Sequence, residues 1–153
     1  MNSTLNPSRL MLAGAIIALS GMLSACSPKV TCEDTAAVDK MLELAKRGVV
    51  ADLAGQCTRE LFEKIPAVAS RCPTDSDGSQ TQCITACRGW AESSVSAKAG
   101  AIDTLFHDDT VATRRCRAAV RFEVAYDGGQ VVDSRITYLV APAMTGVQVV
   151  LSE

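Results

Sequence analysis

Apolar residues recur at helical spacing in the segment that begins near Cys32–Thr35. The positions that form this stripe are three or four residues apart, and they are Val38, Met41, Leu42, Ala45 and Val49. The spacing predicts a first amphipathic helix. Lys46 and Arg47 suit the negative end of the helix dipole, and Gly48 can serve as the C-terminal cap, although the apolar pattern resumes through Leu53.

Two further helices are predicted before the pattern changes. A shorter helix over Thr58–Ile65 has a threonine that can cap its first turn, and Pro66 limits its end. The stretch Ser70–Gln82 is polar and rich in turn-forming residues, which predicts a surface loop. A third helix follows near Thr81–Lys98, and Gly100 ends it.

From Ala101 onward the period of the pattern changes to two, as in half-buried strands. The first alternating run comprises Cys116, Ala118, Val120, Phe122, Val124 and Tyr126. Val132–Val140 and Val147–Leu151 repeat the pattern, and Ala101–Asp108 can supply a further strand. The order predicts an α+β fold, with two or three N-terminal helices packed on one face of a C-terminal three- to four-stranded antiparallel meander.

A glycine pair between the two longest strands marks a turn, and the length of this turn sets the strand register. A two-residue loop would place Phe122 opposite Arg135, an apolar side chain against a charge. A three-residue loop, Gly128–Gln130, places Phe122 opposite Ile136. In that register Glu123 meets Arg135 on the other face, as an opposite-charge pair. We therefore predict the three-residue loop, which leaves on the exposed face Arg121, Glu123 and Arg135.

The N-terminal segment has three parts. Met1–Arg9 is short and polar, and Leu10–Leu23 is an uncharged apolar run of 14 residues. Such a run is too short for a permanent membrane-spanning helix, which needs about 20 residues, and it matches the apolar core of a secretory signal. The run ends in Leu23-Ser24-Ala25-Cys26, with small residues directly before the cysteine.

This last tetrapeptide resembles the lipobox of bacterial lipoproteins. The resemblance implies that a diacylglyceryl thioether forms on Cys26 and that residues 1–25 are removed as a signal peptide. Ser27 rather than Asp follows the cysteine, which by analogy with enterobacterial lipoproteins favours the outer membrane over the inner membrane. Two alternatives remain, an ordinary secretory signal with a chance cysteine and an uncleaved anchor.

The lipoprotein interpretation divides the rest of the chain into a tether and one domain. Residues 26–31 form the lipidated cysteine and a short tether, and residues 32–153 form a single α+β domain that faces the periplasm. The membrane is then a partner through the N-terminal lipid. Several acyl chains together hold a protein stably in a bilayer, whereas one chain binds reversibly.

The charge of the chain argues against nucleic acid as a partner. The 15 basic and 17 acidic residues give a formal net charge of −2, whereas phosphate binding needs clustered Lys and Arg. The Arg-rich piece Arg114–Arg117 is a candidate for a local basic patch, but a solvated strand start is the preferred interpretation. Aromatic residues are few, so the core is expected to consist of aliphatic side chains with a few rings, namely Phe62, Trp90, Phe106, Phe122, Tyr126 and Tyr138.

The chain contains seven cysteines. Lipidation consumes one and leaves an even set, Cys32, Cys57, Cys72, Cys83, Cys87 and Cys116. In an oxidising periplasm this set predicts three disulfides that staple the fold. We favour Cys72–Cys83, because the polar loop between them closes easily. The other pairings stay open, and those four cysteines are expected to tie the first helices to the third helix and the sheet.

No metal or cofactor site is predicted. His107 is the only histidine, and with the two aspartates that follow it is interpreted as a solvated turn at a strand end. Asp75–Gly78 weakly resembles a calcium loop but lacks the later ligands. Cys83 and Cys87 would suit zinc only in a reducing compartment. The chain contains no phosphate loop, nucleophile elbow or zinc-protease motif.

These observations favour a non-catalytic binding or assembly lipoprotein whose partner is another envelope protein or a cell-wall component. An immunity or inhibitor lipoprotein, directed against a toxin or an envelope hydrolase, is a first alternative. A small envelope enzyme that uses paired carboxylates is a second, since the sequence does not reveal which acids meet in space. If the face with Arg121, Glu123 and Arg135 is open to solvent, it is the first candidate for partner contact.

Overall fold

The structure is a computed structural model, and it describes residues 29–72, 79–126 and 128–152. The predicted signal peptide, Cys26 and Asp75–Gly78 lie outside the described residues. The helical elements are α1 (Thr35–Gln56), a π-helical turn (Cys57–Leu61), a 3-10 turn (Phe62–Lys64), α2 (Pro66–Ala69) and α3 (Ser79–Ser94). The strands are β1 (Val95–Asp108), β2 (Thr113–Val124), β3 (Gln130–Ala143) and β4 (Gly146–Ser152).

The four strands form one antiparallel sheet in the order β1-β2-β3-β4. Helix α1 packs against β1, β3, β4 and α3, so that the helices lie on one face of the sheet. The predicted α+β fold is therefore confirmed. Within the three described ranges, no helix is both long enough and apolar enough to cross a bilayer.

The core lies between α1 and the sheet. Ala37, Met41 and Ala45 on α1 are buried against the inward side chains of the strands. The buried inward residues of the sheet include Cys116, Ala118, Val120, Phe122, Tyr138, Val140 and Val149. The period-two pattern thus identified which side of β2 packs on the helices.

Helix α1 is longer than predicted, because Gly48 does not end it. The helix continues to Gln56, and Val50 beyond the glycine is buried in the core. Thr58 does not cap a second helix either, since its hydroxyl donates to the carbonyl oxygen of Ala54 at 2.8 Å. Burial of the apolar stripe keeps the backbone helical past a residue of low helix propensity.

Helix α3 is shorter than predicted at its C-terminal end. It ends at Ser94, and residues 95–98, which the helical pattern included, begin β1. Val95 pairs with Val124 and Ala97 pairs with Phe122, so these residues have strand partners that local spacing does not reveal. Strand β1 also contains two register shifts, between Ala99 and Ile102 and between Thr104 and Phe106.

The second of these shifts overturns the expectation that Phe106 belongs to the core. Thr104 pairs with Cys116, but the bulge makes Phe106 pair with Arg115 and turns its ring to the opposite side of the sheet. Phe106 is consequently 61% exposed. An unbroken two-residue alternation would have kept Phe106 on the same side as Thr104.

Three disulfides join the six cysteines of the described residues. Cys32–Cys116 ties the segment before α1 to β2, and Cys57–Cys87 ties the π-helical turn to α3. Cys72–Cys83, the pair favoured from the sequence, is present, with its Cα atoms 5.0 Å apart. The two cysteines of α3 thus bind to different segments.

The predicted register of the β2–β3 hairpin is wrong, and so is the two-residue alternative. Phe122 pairs with Val132, and Val124 pairs with Gln130, which leaves a loop over residues 125–129. The difference from the predicted pairing is four residues. Because this shift is an even number, every side chain stays on its predicted face.

The contacts of the hairpin loop explain this register. The amide of Ala125 donates to the carbonyl oxygen of Ser94 at 2.8 Å, so the chain stays bonded on the β1 side one residue after its pairing with β3 ends at Val124. The ring of Tyr126 turns away to meet Trp90 edge to face, with centroids 5.2 Å apart. Gly128 and Gly129 then adopt positive φ values of 87° and 82°, which complete the turn.

Candidate functional site

The side of the sheet opposite the helices is open. We call this side the outer face. Its exposed members on the two central strands are Arg115, Arg117, Ala119, Arg121, Glu123, Val131, Asp133, Arg135 and Leu139. On the edge strands, Ser96, Lys98, Asp103, Phe106, Gln148 and Val150 lie on the same face and are exposed. No helix of the described ranges covers it.

One half of the outer face is electrically neutral. Arg121 lies opposite Asp133, with its Nε 3.1 Å from Oδ1 and one terminal nitrogen 3.5 Å from Oδ2. Lys98 on β1 reaches Glu123 at 3.6 Å. These pairs satisfy the charges near the β2–β3 hairpin within the domain itself.

The other half carries an excess of positive charge. Arg115, Arg117 and Arg135 form no ion pair with any described residue, and we call these three residues the arginine cluster. Arg115 and Arg117 are alternate residues of β2, and Arg135 lies diagonally across on β3 because its direct partner is Ala119. Asp103 on β1 lies opposite Arg117 on the same face without forming an ion pair. Three arginines beside one carboxylate leave an excess of positive charge that suits an external anion.

An apolar row crosses the sheet beside the arginine cluster. Strand pairing places Phe106 next to Arg115, Arg115 next to Leu139, and Leu139 next to Val150. The three apolar members of this row are exposed by 61%, 37% and 48% in the order Phe106, Leu139 and Val150. The outer face thus combines exposed apolar side chains with unpaired arginines, a composition typical of interface cores.

The three contact residues predicted from the sequence do lie on the outer face, but not as one group. Glu123 pairs across the strands with Val131, not with Arg135, so the predicted ion pair is wrong. Arg121 and Glu123 belong to the neutral half, whereas Arg135 belongs to the arginine cluster. Sequence reasoning did not include Arg115 and Arg117 among the contact residues, although each lies an even number of residues from Arg121, which indicated one shared face.

Arg114 differs from its neighbours, since its side chain is only 14% exposed. Its Nε donates to the carbonyl oxygen of Val30 at 2.7 Å, which holds the start of the described chain against β2. A terminal nitrogen of Arg114 also lies 3.7 Å from Asp109. Arg114 therefore stabilises the fold, and only the later part of Arg114–Arg117 behaves as a solvated strand start.

His107 lies exposed at the end of β1. Its Nε2 is 3.8 Å from a carboxylate oxygen of Asp109, which in turn approaches Arg114. In the described part of the chain, His, Cys, Asp and Glu side chains nowhere gather in a group of three that could hold a metal ion. The six cysteines are engaged in disulfides and are not thiolate ligands.

No protein-family model, curated protein or solved structure matches this chain.

Proposed function

We propose that this protein is an envelope lipoprotein, held by an acylated Cys26, whose periplasmic domain binds an acidic surface of another envelope protein. Binding is non-catalytic and uses the outer face. One observation carries the proposal: three arginines that form no intramolecular ion pair lie within and beside an exposed apolar row, in a chain whose net charge is −2.

The chemistry of the outer face suits carboxylates. A guanidinium group presents parallel N–H donors that match the two oxygens of a carboxylate, and such charge-assisted hydrogen bonds are among the strongest in proteins. Phe106 and Leu139 would lose water contact on binding, which supplies a non-directional gain. In the pairs Arg121–Asp133 and Lys98–Glu123, each charge already has a partner within the domain. These residues would therefore fit the partner's surface at the border of the interface without binding its charges.

The position of the tether agrees with this use of the outer face. Val30 and Cys32 are buried in the core between the helices and the sheet, and Cys32 bonds to the inward-facing Cys116. The chain therefore enters the domain on the helical side. An anchor that precedes Lys29 would hold that side toward the bilayer and direct the outer face toward the periplasm.

A photo-activated cross-linker at Leu139 of the full-length protein, used in intact envelopes, tests the partner. We expect one protein adduct that weakens when Arg115→Glu and Arg117→Glu are combined, because like charges then face the partner's acids. The matched control is Arg59→Glu with Arg88→Glu, which changes net charge equally at exposed helical positions. Adducts that survive the strand double variant, or adducts to phospholipid alone, would contradict the proposal.

The anchor requires a separate measurement. Mass spectrometry of the mature protein should find Cys26 as an acylated N-terminal residue, and Cys26→Ser should release the protein from the membrane fraction. A mature chain that starts elsewhere and carries no lipid would contradict the anchor but leave the cross-linking result intact.

A further inference from the structure

Strand β4 is an edge strand that lacks the usual protection against pairing. Its sequence, Gly146–Ser152, contains neither a charged residue nor a proline. The opposite edge, β1, has two register shifts and carries Lys98, Asp103 and His107. Bulges and charges of this kind keep edge strands from pairing with other chains, so β4 is the edge available for a further strand.

Pro142 shows which backbone groups of β4 point outward. Pro142 pairs with Val147 and has no N–H, so this is a position without ladder hydrogen bonds. Because the pattern alternates, the N–H and C=O groups of Val149 and Leu151 also point away from β3. Lys40 reaches the carbonyl oxygen of Val147 at 3.4 Å, which covers the beginning of this edge. Val149 and Leu151 have no backbone partner on that side among the described residues.

We propose that a second copy of this chain pairs with β4 in antiparallel orientation, with the two-fold axis at Val150. Val149 of each copy then pairs with Leu151 of the other, and each pair exchanges two N–H···O=C hydrogen bonds. The outward N–H and C=O groups of Val149 and Leu151 are then all used. The result is a closed dimer with a continuous eight-stranded sheet.

The side chains fit this register on both faces. Val150 meets its own counterpart across the axis in a close pair without ladder hydrogen bonds, which brings apolar side chains into contact. The row of Phe106, Arg115, Leu139 and Val150 thus runs on into the same row of the second copy. On the helical side, Val149 lies beside Leu151 of the second copy. No like charges oppose one another along β4, since the strand has none.

The dimer also places both tethers on one side. A two-fold axis perpendicular to the sheet leaves the two helical layers on the same face, and the chain enters each domain on that face through Cys32. Both copies can therefore reach one membrane. The inference concerns β4 alone, and it holds whether or not Cys26 is lipidated or an acidic partner exists.

Co-expression of two differently tagged full-length copies tests the dimer. When both copies are wild type, purification through either tag after detergent extraction should recover the other copy. Val150→Lys in both copies should lower recovery about tenfold or more, since like charges meet at the axis, and Val150→Glu in both copies should do the same. One Lys copy with one Glu copy should restore recovery.

Val131→Lys is the control, because Val131 is similarly exposed on the outer face but lies at the end of β3 that β4 does not reach. It should leave recovery unchanged. The dimer would be overturned if wild-type copies did not recover each other, if the Lys or Glu variant associated as wild type does, or if the mixed pair stayed apart while circular dichroism showed both variants folded.

Discussion

The phenol group of Tyr138 donates a hydrogen bond to the carbonyl oxygen of Cys32 at 2.8 Å, across 106 residues of sequence. The same cysteine bonds covalently to Cys116, which is the cross-strand partner of Tyr138. The segment before α1 is thus held at two neighbouring points on the sheet. Burial raises the pKa of Tyr138 above its ordinary value of 10.0, and the charge of Glu33 raises it further.

Tyr138→Phe should lower the free energy of unfolding by about 1 kcal/mol, because it leaves the buried carbonyl oxygen of Cys32 without its donor. Urea denaturation of the purified protein measures the difference. Tyr126→Phe is a suitable control, since its ring contact with Trp90 survives the change. A loss in the control as large as that in the Tyr138 variant would contradict the assignment.

The pH dependence of this difference follows from the raised pKa. The unfolded chain ionises Tyr138 near its ordinary pKa of 10.0, whereas the folded protein keeps the proton to higher pH. The contribution of Tyr138 is therefore complete below that pH and is lost as the pH rises through the folded-state pKa. The advantage of wild type over Tyr138→Phe should shrink over the pH range above about 10. An advantage that grew over this range would contradict it.

The three disulfides should contribute unequally to stability. Their sequence separations are 84 for Cys32–Cys116, 30 for Cys57–Cys87 and 11 for Cys72–Cys83. By loop-closure entropy, replacing each pair with alanine should cost about 4.5, about 3.7 and about 2.8 kcal/mol respectively. Thermal or urea unfolding of the three double variants gives the order. If the Cys72 and Cys83 variant were the least stable, loop length would not set the ranking.

A double-mutant cycle tests the strand register. Arg121→Ala and Asp133→Ala should show a coupling of about 0.2–1 kcal/mol, as expected for an exposed ion pair with two contacts. The corresponding cycle for Glu123 and Arg135 should show none, because neither is the other's cross-strand partner. Coupling in the second cycle alone would indicate the shifted register.

Gly48→Ala should stabilise the protein by about 0.5–1 kcal/mol, because alanine loses less conformational entropy on folding in a helix. A methyl group at Gly48 would meet no atom within 4 Å other than its chain neighbours and the nearby backbone of its own helix. Gly128→Ala is the matched comparison, since it also has open space but a φ of +87°. Gly128→Ala should lower the free energy of unfolding. If both variants were more stable than wild type, backbone strain at positive φ would not oppose the entropic gain from alanine.

The alternation of β2 and β3 revealed which side chains face the helices, but it did not determine which residues pair. Every shift by an even number of residues produces the same two faces. The register depends on the Trp90–Tyr126 contact and on the hydrogen bond from Ala125 to Ser94, both of which join segments far apart in sequence. Local patterns do not contain such contacts.

For the candidate site too, the sequence predicted on which face a residue lies but not which residues it contacts. Arg135 could be assigned to the exposed face, but its freedom from ion pairs depends on the register, which gives Asp133 to Arg121. Phe106 lies on the outer face because of a bulge in β1, and the sequence pattern does not predict this bulge. The composition of the outer face follows from alternation, whereas its division into a neutral and a cationic half follows from tertiary contacts.

The bond between Cys32 and Cys116 gives the domain a particular mechanical behaviour. Cys116 lies directly between Arg115 and Arg117, so a pull on the N-terminal segment reaches the arginine cluster through one covalent cross-link and one residue of β2. All the described helices lie between residues 32 and 116, in the segment whose two ends this bond joins directly. If the proposed anchor and the proposed partner pull against each other, the tension would be carried along the cross-link, and the helical layer would stay unloaded.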